Sequence, residues 1–192
     1  MTEKTNPTGR HRKANQAKGS TVKVDRTPLD GVLLVTPPTI FEDFRGSYVE
    51  IYNETLYRVA GIDVDFKQED ISVSSRHVLR GIHGDRKTWK LVSCLSGRFY
   101  LVVVNWDRTS SQFGAWTSFV LSESNRQQVL IPPKFGNGHV VLSDQAIFHY
   151  KQSTYYDRSG QFTILWNDPK LNIWWPVKNP ILSRRDECCE SM

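Results

Sequence analysis

Short runs of β-branched, aliphatic and aromatic residues recur along this chain at nearly even spacing, separated by polar clusters rich in Gly, Ser and Asp. Gly31–Val35 reads as a first strand, stopped by Pro37-Pro38, and Asp43-Phe44-Arg45-Gly46 reads as a turn. In Ser47–Tyr52 apolar and polar positions alternate, the period of a half-buried strand. Asn53–Ala60 is predicted as one short helix, capped by Asn53 and stopped by Gly61. Further strands are predicted at Phe66–Val73, Val78–Ile82, Lys90–Cys94, Arg98–Asn105, Trp116–Leu121, Gln128–Ile131, His139–Leu142, Ile147–Gln152 and Phe162–Trp166. Turn signals stand between them at Leu95-Ser96-Gly97, Asp107–Ser110, Ser143-Asp144 and Ser159-Gly160. Many short strands with regular turns describe an all-β sandwich or barrel. There is no long amphipathic helix, no solenoid repeat and no Gly-rich phosphate loop. After Pro176 the pattern becomes irregular, as for a segment closing over the barrel surface.

Composition changes this picture little. The 192 residues are 39% hydrophobic and 11% aromatic, enough for one packed domain with a ring-rich core. No stretch approaches the roughly 20 apolar residues that span a bilayer, and the N-terminus lacks the apolar centre of a signal peptide. Three cysteines, Cys94, Cys188 and Cys189, show no metal-ligand spacing and suit a reducing, cytoplasmic setting. The histidines are not spaced as a three-His metal site would need, so neither metal nor cofactor is expected.

The net charge of +5 suggests nucleic acid until it is located. Residues 1–28 hold seven of the Lys and Arg side chains and two of the acidic ones, and the rest of the chain is balanced. That polar stretch reads as a flexible basic tail, with the single folded domain spanning 29–192. No nucleic-acid or membrane partner follows from it.

Leu79-Arg80-Gly81-Ile82-His83-Gly84 is where chemistry concentrates. An arginine and a histidine sit beside two glycines, which let backbone approach a ligand closely. With Lys87 and Lys90 downstream, His83 is a candidate base in a cationic pocket. The same residues also describe a solvated hairpin end.

Several stretches in order resemble one family. Asp43-Phe44-Arg45-Gly46 with Glu50, Gln68–Ser74, Val78–His83, Lys90-Leu91-Val92, Ile131-Pro132, Val141-Leu142-Ser143, Tyr150-Lys151, Tyr155-Tyr156 and Trp166–Pro169 are similar to the nucleotide-sugar 3,5-epimerases of the dTDP-4-dehydrorhamnose type. The resemblance covers roughly residues 31–186. It implies a cupin-type jelly-roll β-barrel, usually a homodimer, that works without metal or redox cofactor. It further implies epimerisation at C3, C5 or both of a nucleotide-linked 4-keto-6-deoxy sugar. Two stretches depart from the family pattern. Asn137 stands where the family usually has His, with His139 two places on, and the segment after His83 is short. Both are similar to epimerases of GDP-linked 4-keto-heptoses, whereas Tyr155-Tyr156 resembles the dTDP branch. A single-site 3-epimerase, a ketoisomerase and a non-catalytic sugar-binding cupin are the alternatives.

Epimerisation beside a ketone needs a base, a stabiliser for the enolate oxygen, and an acid on the other face. The resemblance gives His83 as base, Asp168 as its carboxylate partner and Tyr150 as acid. Lys90, with Arg80, would hold the ketone oxygen. Arg45 and Arg80 suit a diphosphate, because guanidinium forks match phosphate oxygens. Glu50, Gln68 and Asp70 would hydrogen-bond the sugar or the base, Asn137 and His139 belong to the same substrate-binding set, and Tyr156 would stack on the base.

Overall fold

The computed structural model describes residues 21–187. Most of the expected tail, residues 1–20, lies outside the described residues, and so do Cys188 and Cys189. The chain forms two facing antiparallel sheets and a separate hairpin. The strands are β1 Lys23–Arg26, β2 Leu33–Thr36, β3 Thr39–Asp43, β4 Gly46–Val49, β5 Gln68–Ser75, β6 Leu79–Asp85, β7 Lys90–Ser96, β8 Arg98–Asn105, β9 Trp116–Ser122, β10 Gln128–Ile131, β11 Phe135–Val141, β12 Gln145–Gln152 and β13 Gln161–Thr163. Two short helices, α1 Glu54–Val59 and α2 Arg184–Glu187, complete them. One sheet runs β1-β2-β10-β7-β12-β5, the other β13-β6-β11-β8-β9, and β3-β4 stands alone. The strand pattern predicts an all-β sandwich or barrel, and the jelly roll is the form that the family resemblance implies.

The buried run of β8 explains how the layers form. Phe99, Leu101 and Val103 pack between the sheets with Val92, Phe148 and Val141. Tyr100, Val102 and Val104 point the other way, onto Ile164, Leu171 and Trp175. A strand's side chains alternate faces, so a continuous apolar run needs a core on both sides. The segment after β13 supplies the second core, and from the stretch after Pro176, expected to close over the surface, Val177 and Leu182 pack against it. A third cluster, Val35, Leu91 and Leu130, packs beneath Tyr57 and Ile62, which α1 and its C-terminal turn bring over the outer face of the six-stranded sheet. Each large side chain fully buried here contributes roughly 1.5–3 kcal/mol. Asn53 caps α1 as expected, its Oδ1 accepting the Leu56 N–H at 3.2 Å.

Most strand ends shift by a few residues from the sequence expectation, and three departures go further. β1 lies inside the stretch read as tail: Val24 faces Val35 across the β1–β2 ladder, so residues 22–28 belong to the fold. β3 follows Pro37-Pro38 directly, because the prolines end one strand and the Asp43–Gly46 turn organises a new hairpin. β11 begins at Phe135 rather than His139. Its glycines are poor strand formers, but a Cβ on Gly136 would meet Ile82 at 2.8 Å, so close strand packing requires them. Among the described residues no helix is long and apolar enough to cross a membrane.

Candidate active site

Between the two sheets the inner surface changes character along the barrel. One end is closed by Phe99, Phe148 and Val141. The other opens into a cavity of about 710 Å³ whose wall includes Gln68, Asp70, Arg80, His83, Lys90, Asn137, His139, Tyr150 and Tyr156. Nine of the residues singled out from sequence therefore share one cavity. Arg45, Glu50 and Asp168 are not on its wall.

His83 reaches the cavity from β6, in the five-stranded sheet, and Tyr150 reaches it from β12, in the six-stranded sheet. They stand on opposite walls. Gly81 makes the approach of β6 possible: its φ is +114°, and a Cβ there would sit 2.6 Å from the Gly138 Cα. Asn137 is the cross-strand neighbour of His83 on β11, and His139 that of Arg80.

The carboxylate against His83 is Asp186, not Asp168. His83 Nε2 lies 2.7 Å from Asp186 Oδ1. Asp168 is buried in the turn after β13, where its Oδ1 accepts the Lys170 N–H at 2.8 Å. An Asp just before Pro is well suited to such a turn, and Asp168 takes that local role. Asp186 sits at the third position of α2 in a capping arrangement: Ser183 Oγ donates to Asp186 Oδ2 at 2.7 Å, and the Asp186 N–H points back to Ser183 Oγ. The Gly81 N–H also donates to Asp186 Oδ1, at 3.4 Å. Burial pushes the Asp186 carboxyl up, but the contacts from His83, Ser183 and Gly81 outweigh it and leave the group below its usual range. The helix is held to the barrel by Arg185, which donates to Gln161 Oε1 at 3.0 Å and to Thr163 Oγ1 on β13. The signal for Asp186 was present as Ser183-x-x-Asp186, a helix N-cap signature.

Lys90 is 9% exposed, and its Nζ donates to Asn137 Oδ1 at a long 3.4 Å. Burial pulls its ammonium below the ordinary lysine range, Asp85 opposes this and Arg185 adds to it. A cation with so weak a protein acceptor is suited to an oxyanion on a ligand. Tyr150 is pushed up to about 12, by burial first and then by Asp70 and Tyr156, so the phenol keeps its proton. Asp70 accepts from Gln68 at 2.9 Å and from Gln152 at 3.0 Å, and Gln68 Oε1 in turn accepts the Tyr156 N–H at 2.9 Å. Arg80 is oriented by Nε donation to Ser74 Oγ at 2.9 Å. Arg158 and Arg184 add cations to the cavity wall that sequence reasoning did not single out.

Two expected ligands lie elsewhere. Arg45 is exposed on the β3–β4 hairpin and pairs with Asp43 at 2.6 Å. Glu50 accepts from Asn53 Nδ2 at 3.2 Å, at the start of α1. Both sit on or just after a hairpin that belongs to neither large sheet.

A base and an acid on facing walls, with a buried cation beside them, can invert a carbon next to a carbonyl. Residues 26–192 match the family model for dTDP-4-dehydrorhamnose 3,5-epimerase. The chain belongs to that epimerase family. The dTDP-4-dehydrorhamnose 3,5-epimerase of Shigella flexneri is 39% identical over 158 residues, covering 80% of this chain and 87% of that one. The crystal structure of the Bacillus anthracis enzyme with TDP and PPi bound superposes with a TM-score of 0.86 at 32% identity, covering 90% of this chain and all of that one (100%). ChmJ, a 3'-monoepimerase from Streptomyces bikiniensis solved in complex with dTDP-quinovose, gives 0.80 at 29% identity, covering 86% and 87%. By family this chain is an epimerase, an isomerase acting on nucleotide sugars.

Proposed function

We propose that the protein inverts C3, C5 or both in a dTDP-linked 4-keto-6-deoxy sugar. The observation that carries this reading is that His83, backed by Asp186, and Tyr150 reach one cavity from opposite sheets. His83 takes the proton from the carbon beside the ketone, and Asp186 stabilises the imidazolium that forms. Lys90, steadied by Asn137, faces the enolate oxygen. Tyr150, which holds its proton, returns one from the other side. Arg80 joins Lys90 in holding the ketone oxygen, Arg158 and Arg184 at the cavity mouth bind diphosphate, Gln68 and Asp70 hydrogen-bond the nucleotide or sugar, and Tyr156, about half exposed at the rim, stacks on the base. A cytoplasmic setting, with Cys94 as a buried free thiol, belongs to the same reading.

In deuterated water with dTDP-4-keto-6-deoxyglucose, NMR is expected to show deuterium entering at C3, at C5, or at both. The position labelled separates single from double epimerisation. No label with the dTDP sugar, but label with a GDP-linked 4-keto-heptose, would move the proposal to the GDP branch; no label with either overturns it.

We also propose that the protein works as a homodimer. The β3–β4 hairpin exposes Phe44 at 98% and Tyr48 at 65%, large apolar groups on an element outside both sheets. Arg45 on this hairpin is away from its own cavity, so pairing of two copies is the way for it to reach a diphosphate. Light scattering is expected to give about twice the chain mass of 22.1 kDa. A monomer at micromolar concentration contradicts this and leaves Arg45 without a ligand role.

A further inference from the structure

His139 is one of the most buried polar side chains on the cavity wall. It is 3% exposed, and its Nε2 is buried with no hydrogen-bond partner among the described residues. Its ring lies flat on Phe148, with centroids 4.1 Å apart and planes 9° from parallel, and tilts against Phe99 at 5.1 Å. A benzene ring would satisfy those contacts equally well. A polar atom left unpaired in such a place is rare in folded proteins and unfavourable, so packing alone does not account for an imidazole here.

Its protonation state is set by its surroundings. Burial, reinforced by Arg80 and His83 and partly offset by Asp186, pushes its pKa down to about 3. The ring is therefore neutral at working pH and offers one N–H donor and one lone pair. That chemistry suits a hydroxyl, which can both accept and donate, and does not suit an anion.

The position along the cavity is equally defined. Asn137 and His139 are two apart on β11, so they point to the same face. Asn137 is level with Lys90 and His83, while His139 lies one step further, where Phe99 and Phe148 close the barrel. Exposed arginines, Arg158 and Arg184, stand at the open end. A sugar nucleotide entering with its diphosphate at the arginines puts its sugar inward, past His83 and Tyr150 and onto His139.

We propose that His139 reads the innermost hydroxyl of the bound sugar and so sets how deep, and which way round, the ring sits between His83 and Tyr150. This rests on the epimerase reading above and names, within it, the residue that sets the sugar's register.

The test uses His139→Phe, which keeps a ring on Phe148 and Phe99 and removes both nitrogens. The probes are dTDP and dTDP-quinovose, a sugar nucleotide with hydroxyls but no ketone, so it binds without turnover. Calorimetry of the full chain is expected to give dTDP affinity within about twofold of wild type and dTDP-quinovose affinity at least about tenfold weaker, the loss typical of one hydrogen bond to a buried group. His139→Gln, which restores a donor and an acceptor, is expected to recover part of it. Equal dTDP-quinovose binding by His139→Phe and wild type overturns the proposal. A lowered melting temperature with both ligands weakened alike also overturns it, since that marks a packing role. If His139→Phe does not fold, nitrogen NMR of the wild-type histidines decides. The His139 ring signals are expected to move with dTDP-quinovose and not with dTDP, and identical spectra overturn the role. A wild-type protein that binds dTDP but not dTDP-quinovose removes the sugar site altogether, and with it both this inference and the epimerase reading.

Discussion

Asp186→Asn is expected to lower kcat by roughly 10²–10⁴-fold, the range for loss of a carboxylate that orients and stabilises a catalytic imidazole. The amide keeps the shape and part of the Ser183 cap, so dTDP affinity and the melting temperature should change little. Asp168→Asn is the internal comparison. Asp168 holds a turn and does not line the cavity, so its loss should appear in the melting temperature and leave kcat per folded molecule near wild type. Steady-state kinetics and thermal melts on both variants check this. A wild-type kcat in Asp186→Asn, or the large loss in Asp168→Asn instead, would return the carboxylate role to Asp168. The pH dependence has a fixed sign. Asp186 is held below its ordinary value of 3.8 in the fold, so the stability it contributes is present above that pH and lost as the pH falls through the lower folded value. Around neutral pH the carboxylate stays charged and available to His83.

Tyr150→Phe separates the two halves of the reaction. His83 and Lys90 are untouched, so the proton beside the ketone is still removed and returned from the same side. Deuterium from solvent should therefore enter the substrate without inversion, while formation of the epimer falls by roughly 10²-fold or more. NMR reads both in one sample: the loss of the proton signal gives exchange, and the coupling pattern gives configuration. If exchange and inversion fall together, Tyr150 acts before enolate formation and the assignment of His83 as sole base is wrong. If neither falls, Tyr150 is a wall residue. Because the phenol keeps its proton to about pH 12, the wild-type rate should not be limited by Tyr150 ionisation at alkaline pH up to that range.

The sequence carried the fold well because its information is local. Alternation, turn residues and the Asn53 cap each depend on neighbours a few positions away, and β8 and β10 match the expected spans residue for residue. The misplaced boundaries are those where local preference and tertiary packing disagree. Gly136 and Gly138 weaken a strand in isolation, yet β11 needs them to lie against β6. Lys23–Arg26 looks like solvated tail, yet it finds an edge to pair with. The residues that share the cavity, such as His83, Lys90, Asn137 and Tyr150, were legible through short motifs that resemble the family's, although the β6–β11 register shifts between Asn137 and His139. The site was not legible where the answer depended on how a distant segment returns. Asp168 and Asp186 are both carboxylates in the irregular C-terminal part, and only the docking of α2 through Arg185 onto β13 decides which one meets His83, 103 positions earlier for Asp186. Arg45 and Glu50 lie off this cavity for the related reason that the β3–β4 hairpin pairs with neither large sheet.

The central claim is that one sugar ring lies between His83 and Tyr150. A crystal structure of the protein with dTDP-quinovose bound tests it most directly. The expected result is the sugar inside the barrel, with the His83 imidazole within roughly 3.5 Å of one face at C3 or C5, the Tyr150 hydroxyl as close to the other face, and the C4 oxygen toward Lys90 Nζ. A sugar seated outside the barrel, or His83 and Tyr150 contacting the same face, would contradict it.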